Sequence, residues 1–398
     1  MTDERVGRLA ELAVRFGANV QDGQVVAVST EPGKEPLARA VADAAYRAGA
    51  KFVDVSTFDL HVKRSRLLHG SSDALGFVPP WLGERVLELG RERGASVSLT
   101  GVVEPDLLKD IDPERVGKDT WPALEEWAVV VAERSVNWTA IPCPTTDWAG
   151  LVFPDLAPDD GLARLWQEVA RCCRLDEPDP VAAWTQRQQE LARVASELDS
   201  LRFDQLHYEG PGTDLTIGLL PSSRWITARF ETAWGLRHMP NIPSEETFTS
   251  PDPERVDGVV RSTKPLVRSG TVIRDLEVEF RGGRAVRVEA SAGGESLDAM
   301  TSVDEGAARL GEVALVDNDS RVGKTGMVFY DTLLDENAAS HVALGRGFPF
   351  AVDDEDMERV NHSKVHVDFM VGSDELTVTG VTPGGERVVV LAGGRFQL

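Results

Sequence analysis

The chain has 398 residues, 42% of them hydrophobic and 27% charged, with a formal net charge of −23. That length predicts two domains rather than one core, and the composition is that of an ordinary globular protein in water. The negative balance argues against nucleic acid and anionic membrane as partners, because both would repel this surface.

Val6, Leu9, Leu12, Ala13 and Phe16 recur at helical spacing behind a Thr2 or Asp3 cap. The same segment mixes charges and lacks the basic start and apolar stretch of a signal peptide. Residues 25–29 and 51–56 read as strands with a helix over 36–48 between them. Further buried strands are expected over 96–103 and 127–132, and helices over 80–93, 161–174 and 180–198. This alternation predicts an α/β domain with a mostly parallel sheet over residues 1–199. Beyond about residue 200 the pattern changes to short strands over 204–208, 214–219, 225–229 and 272–288, with one helix over 296–310. Residues 200–398 are therefore expected to form a β-rich α+β domain. Gly282-Gly283 and Gly393-Gly394 read as hairpin turns. Cys143, Cys172 and Cys173 offer neither a disulfide framework nor a C-x-x-C pair, which suits a reducing, cytoplasmic setting. No apolar run is long enough to span a bilayer.

Chemistry gathers in the second half. His366-Val-Asp368 sits on an apolar run, and residues two apart on a strand share a face. An imidazole and a carboxylate can thus enter one pocket, although a structural hydrogen-bonded pair would read the same way. Glu312 enters the strand-like Glu-Val-Ala-Leu-Val316, where a carboxylate needs a partner or a metal because burying a bare charge is costly. His341 follows Asp335-Glu-Asn-Ala-Ala-Ser340. Glu245 and Glu246 lie between Ile242 and Phe248, and neighbours in an extended segment point apart. One of the two can ligate while the other supports or carries a proton. His61, His69, His207, His238 and His362 read as structural or surface residues. There is no H-E-x-x-H, G-x-S-x-G or P-loop.

Several longer segments, taken in order, resemble the thermophilic metallo-aminopeptidase family of the aminopeptidase T and S type. They include Asn137-Trp-Thr-Ala-Ile-Pro142, Asn241-Ile-Pro-Ser-Glu-Glu-Thr-Phe-Thr-Ser-Pro251, Gly311-Glu-Val-Ala-Leu-Val316, Leu334-Asp-Glu-Asn-Ala338 and Asn361-His-Ser-Lys-Val-His-Val-Asp-Phe-Met370. The resemblance implies metal ligation by Glu246, Glu312, His341, His366 and Asp368. It also implies a homodimer, a peptide substrate with a free amino terminus and a metal-binding carboxy-terminal domain. Two divalent ions (zinc, cobalt, manganese or magnesium) would share Glu312 as a bridge, with Glu245 as a proton shuttle. The family's tyrosine seven residues after the first histidine is Phe348 here, which removes a donor worth ~10²–10³ in turnover. A rival assignment takes His341, His366 and Asp368 as the two-histidine, one-carboxylate set of a ring-cleaving iron dioxygenase. A catalytically weakened binding relative is the third.

Overall fold

The computed structural model describes residues 4–119, 121–268, 271–318 and 320–398. They fall into two compact units: Met1–Gln186 with Ala228–Ser244, and Arg187–Thr227 with Glu245–Leu398. A single boundary near 200 was expected instead. Composition changes at the end of the 22-residue helix Pro180–Leu201, whereas packing changes within that helix. The excursion 228–244 is tied to the first unit by backbone hydrogen bonds as well as by side chains. Met239 N–H donates to Gly17 O (2.8 Å), and Ala140 N–H donates to Pro240 O (2.7 Å).

The first unit carries a four-stranded, wholly parallel sheet in the order Phe52–Thr57, Val25–Thr30, Ala95–Thr100, Asn137–Pro142. Val26, Val28 and Val97 are fully buried, as parallel strands covered on both faces require. The expected strand over 127–132 is a helix, Glu125–Ala132. A short apolar run has no period of its own to choose between the two, and two acids in its first turn favour the helix. Burial there is one-sided, with Val130 inside and Val129 exposed. The fourth strand is instead Asn137–Pro142.

The strand order reverses between Val25–Thr30 and Ala95–Thr100, which creates the crevice where open α/β sheets commonly take a ligand. Lys34 fills it. Its buried ammonium donates to Glu31 Oε2 (2.6 Å), Leu99 O (3.1 Å) and Gly101 O (2.8 Å).

Among the described residues, the second unit contains two large antiparallel sheets and a two-stranded antiparallel ribbon, Leu266–Arg268 with Thr271–Ile273. One has eight strands running from Arg284–Glu289 at one edge to Arg395–Phe396 at the other. The second has five, in the order His366–Met370, His341–Gly345, Leu310–Val316, Glu246–Thr249, Ile226–Thr227. Both contribute to one core. Leu206, Tyr208, Ile217, Val256, Val278 and Phe280 come from the first, and Val313, Leu315, Val342, Leu344, Val367 and Phe369 from the second. The helix expected over 296–310 stops at Thr301. Asp304 then starts a separate turn, accepting from Ala307 N–H (2.8 Å), Ser363 Oγ–H (2.8 Å) and Lys364 N–H (2.8 Å).

In the first unit, His238 lies among the rings of Trp138 (6.4 Å) and Phe230 (6.0 Å). Burial lowers its imidazole to about 4, against a weaker upward pull from the backbone at Leu236. Between that value and the unfolded 6.5, only the unfolded chain binds this proton. Stability is therefore complete above pH 6.5 and is lost as the pH falls toward 4, by up to ~3 kcal/mol. His238→Phe should flatten urea midpoints across this window; an unchanged pH slope would show that His238 is not the cause.

Candidate metal centre

The apolar side of the five-stranded sheet determines what its other side carries. Val313 and Leu315, Val342 and Leu344, and Val367 and Phe369 enter the core. Alternation then sends Glu312 and Ala314, His341 and Ala343, and His366 and Asp368 to the opposite face. Antiparallel register aligns Glu312 with Ala343 and Ala343 with Asp368, and also Ala314 with His341 and Gly345 with His366. Glu246 opens the next strand, whose Phe248 pairs with Ala314. All five sequence-predicted ligands thus share one face, with alanine or glycine between them.

A bulge between Leu310 and Glu312 makes this phase possible. Leu310 lies in the core with Val313, so one residue must be absorbed between them. That residue is Gly311. A Cβ there would stand 2.2 Å from Gly345 O and 2.4 Å from the Arg346 carbonyl carbon.

The candidate ligand atoms form two groups joined by one carboxylate. Glu246, Glu312 and His341 place donor atoms within 4.8 Å of one another, and so do Glu312, His366 and Asp368. Glu312 Oε1 lies 3.9 Å from His341 Nε2, while its Oε2 lies 3.1 Å from His366 Nε2. Glu246 Oε2 is 3.2 Å from His341 Nε2, and Asp368 Oδ1 is 3.2 Å from His366 Nε2. Each imidazole is oriented from behind. His341 Nδ1 faces the carbonyls of Glu336 (3.1 Å) and Ala339 (3.3 Å), and His366 Nδ1 faces that of Arg346 (2.7 Å). A carbonyl only accepts, so Nδ1 carries the hydrogen and Nε2 turns its lone pair toward carboxylates. Acceptors facing acceptors require a cation between them, and this nitrogen–oxygen set fits a divalent metal.

Without a metal, protons serve that purpose. Burial alone would depress both imidazoles. The carboxylates of Glu246, Glu312 and Asp368 outweigh it at His341, holding it at about 9. Asp368 and Glu312 hold His366 well above its ordinary value. Burial raises Glu312. At Asp368 burial is overcome by the two imidazoles, which lower it to about 2.

One acid escaped the sequence reading. Glu336 lies five residues before His341 in the turn Glu336–Ala338. Its carboxyl is pushed well up by burial and then by Asp368, Glu246 and Glu312, which places it in the field of the same cluster. The available signal was an acid five residues upstream of a candidate histidine. Glu245 faces elsewhere: fully buried, it accepts from Arg187 Nε at 2.6 Å. Phe348 lies against the site, its ring 5.3 Å from that of His366, with Phe248 (5.2 Å) and Phe350 (5.3 Å) beside it.

The histidines read as structural or surface residues stay outside. His362 is exposed, His61 pairs with Glu104 (2.7 Å) and His207 with Asp214 (2.9 Å). All three cysteines are buried, and burial pushes the Cys143 thiol up to about 12, which makes it a poor nucleophile.

The model of the thermophilic metalloprotease family (M29) matches residues 2–396. The chain belongs to that family. Aminopeptidase T of Thermus aquaticus is 39% identical over 404 residues, covering 99% of both chains. Aminopeptidase 2 of Geobacillus stearothermophilus is 38% identical over 406 residues, covering 99% of this chain and 98% of that one. The solved structure of wild-type AmpT from Thermus thermophilus superposes with a TM-score of 0.90 at 37% identity, over 99% of each chain. The metalloprotease has no helix, among the described residues, long and apolar enough to cross a membrane.

Ala343, between Glu312 and Asp368, has no room for a larger side chain if an ion is to enter. Ala343→Leu should sharply reduce divalent-ion uptake, measured by elemental analysis. The fold should survive at a cost of ~1–3 kcal/mol. Full uptake by the folded variant would count against this face as the metal centre.

Proposed function

We propose that this metalloprotease is an aminopeptidase that removes the first residue from peptides with a free amino terminus, using two divalent ions bridged by Glu312. One observation carries the reading: the donors divide into two groups, and the two oxygens of Glu312 face different histidines. Charge supports it. Glu246, Glu312 and Asp368 bring three carboxylates together, more negative charge than one dication neutralises. The mononuclear iron assignment would need His341, His366 and Asp368 around one ion, yet the histidines fall into separate groups.

When bound, such ions supply a water of lowered pKa and polarise the scissile carbonyl. The protein's residues do the rest. His341 and Glu246 hold one side of the site, His366 and Asp368 the other, and Glu312 belongs to both. Substrate approaches from the side of His366, whose side chain is 20% exposed against 2% for His341. Glu245, the expected proton shuttle, is fully buried and engaged by the Arg187 guanidinium. Glu336, in the field of three ligand carboxylates, is better placed for that role. Phe348 borders the approach without a hydroxyl to stabilise a developing oxyanion. Mixed imidazole and carboxylate donors suit zinc, cobalt or manganese better than magnesium. The proposal extends to a cytoplasmic homodimer, with buried free cysteines supporting the reducing compartment.

Stripped protein reloaded with each metal should bind two equivalents and release free amino acids from aminoacyl chromogenic substrates. One iron per chain with oxygen uptake would overturn the assignment. Glu312→Gln should lose metal and at least ~10³ in kcat; full retention of both would remove the bridge. Phe348→Tyr, which adds a phenol beside His366, should raise kcat by ~10-fold or more at unchanged metal content. No gain would mean that another donor already serves the oxyanion.

A further inference from the structure

A second set of contacts lies on the opposite side of the chain from Glu246. Glu245 is fully buried, and a carboxylate in that condition requires a counter-charge. Arg187, on the part of helix Pro180–Leu201 that belongs to the second unit, supplies it through Nε at 2.6 Å. Its Nη1 also reaches Glu190 Oε2 at 3.4 Å. The backbone of Glu245 is tied as firmly as its side chain, its N–H donating to Asn337 Oδ1 at 2.6 Å. Asn337 in turn donates through Nδ2 to Leu333 O (2.8 Å) and accepts at its carbonyl from Ser320 Oγ–H (3.0 Å). Asn337 follows Glu336, whose carbonyl orients His341.

These contacts join the two segments that bring Glu246, Glu336 and His341 to the metal face. Glu245 and Glu246 are adjacent in an extended segment, so their side chains point in opposite directions. Fixing one carboxylate on Arg187 therefore fixes the direction of the other. We propose that Arg187 is a positioning residue for the metal centre. Acting through Glu245, it aims Glu246 at His341 without touching ion or substrate. The inference rests on the metal-binding reading above but concerns how one ligand is held.

Cobalt titration of stripped protein, followed by calorimetry and the visible cobalt spectrum, tests it without peptide turnover. Arg187→Met should weaken cobalt binding ~10–100-fold, the usual effect of removing an outer-shell partner, and alter the spectrum. Arg187→Lys should recover part of the affinity, since an ammonium restores the charge but not the fixed fork. Glu245→Gln, nearly isosteric, covers the case in which Arg187→Met fails to fold, and should likewise weaken binding. The double variant Arg187→Met with Glu245→Gln removes the unpaired buried charge; it should regain thermal stability while cobalt binding stays weak. Unchanged affinity and spectrum in the single variants would overturn the proposal, as would recovery of both in the double variant. Wild-type protein that takes up no cobalt would overturn the metal reading and this inference together.

Discussion

The site depends on the phase of three neighbouring strands. Leu310–Val316, His341–Gly345 and His366–Met370 each bury alternate aliphatic or aromatic residues in the core of the second unit. Each such side chain contributes ~1.5–3 kcal/mol. A slip of one residue would exchange the core face for the ligand face along a whole strand, placing Glu312 or Asp368 in hydrocarbon. Hydrophobic burial therefore determines where the carboxylates point. A centre built this way is stiff, because its donors stand on paired strands rather than on loops.

The polar face bears the cost. Four carboxylates and two imidazoles lie close together, largely out of water, and the field of the acids is strong enough to reverse the effect of burial on both histidines. Small residues stand between them: Ala314, Ala343 and Gly345 occupy the register positions next to the candidate ligands.

Much of this was legible in the residues. His366-Val-Asp368 indicated a shared face because strand alternation is a local rule, and the first unit's parallel sheet followed from strand and helix spacing. Other features depended on distant partners. The run 127–132 is apolar in either conformation, so nothing in it separates helix from strand. The return of 228–244 to the first unit is made by backbone hydrogen bonds and by rings such as Trp138 against His238, partners far away in the chain. Glu336 sits in a turn with no period, and its meaning comes from Glu246, Glu312 and Asp368 on other elements. Glu245 was recognised as different from Glu246, but its partner lies 58 positions away.

Lys34 bears on the first unit in another way. The reversal of strand order leaves a polar opening at the end of the sheet, and the chain closes it with its own ammonium group on three oxygens. The loops around that point are therefore shaped by an internal guest. The convergence of Glu31, Leu99 and Gly101 on one cation constrains how those loops can be arranged.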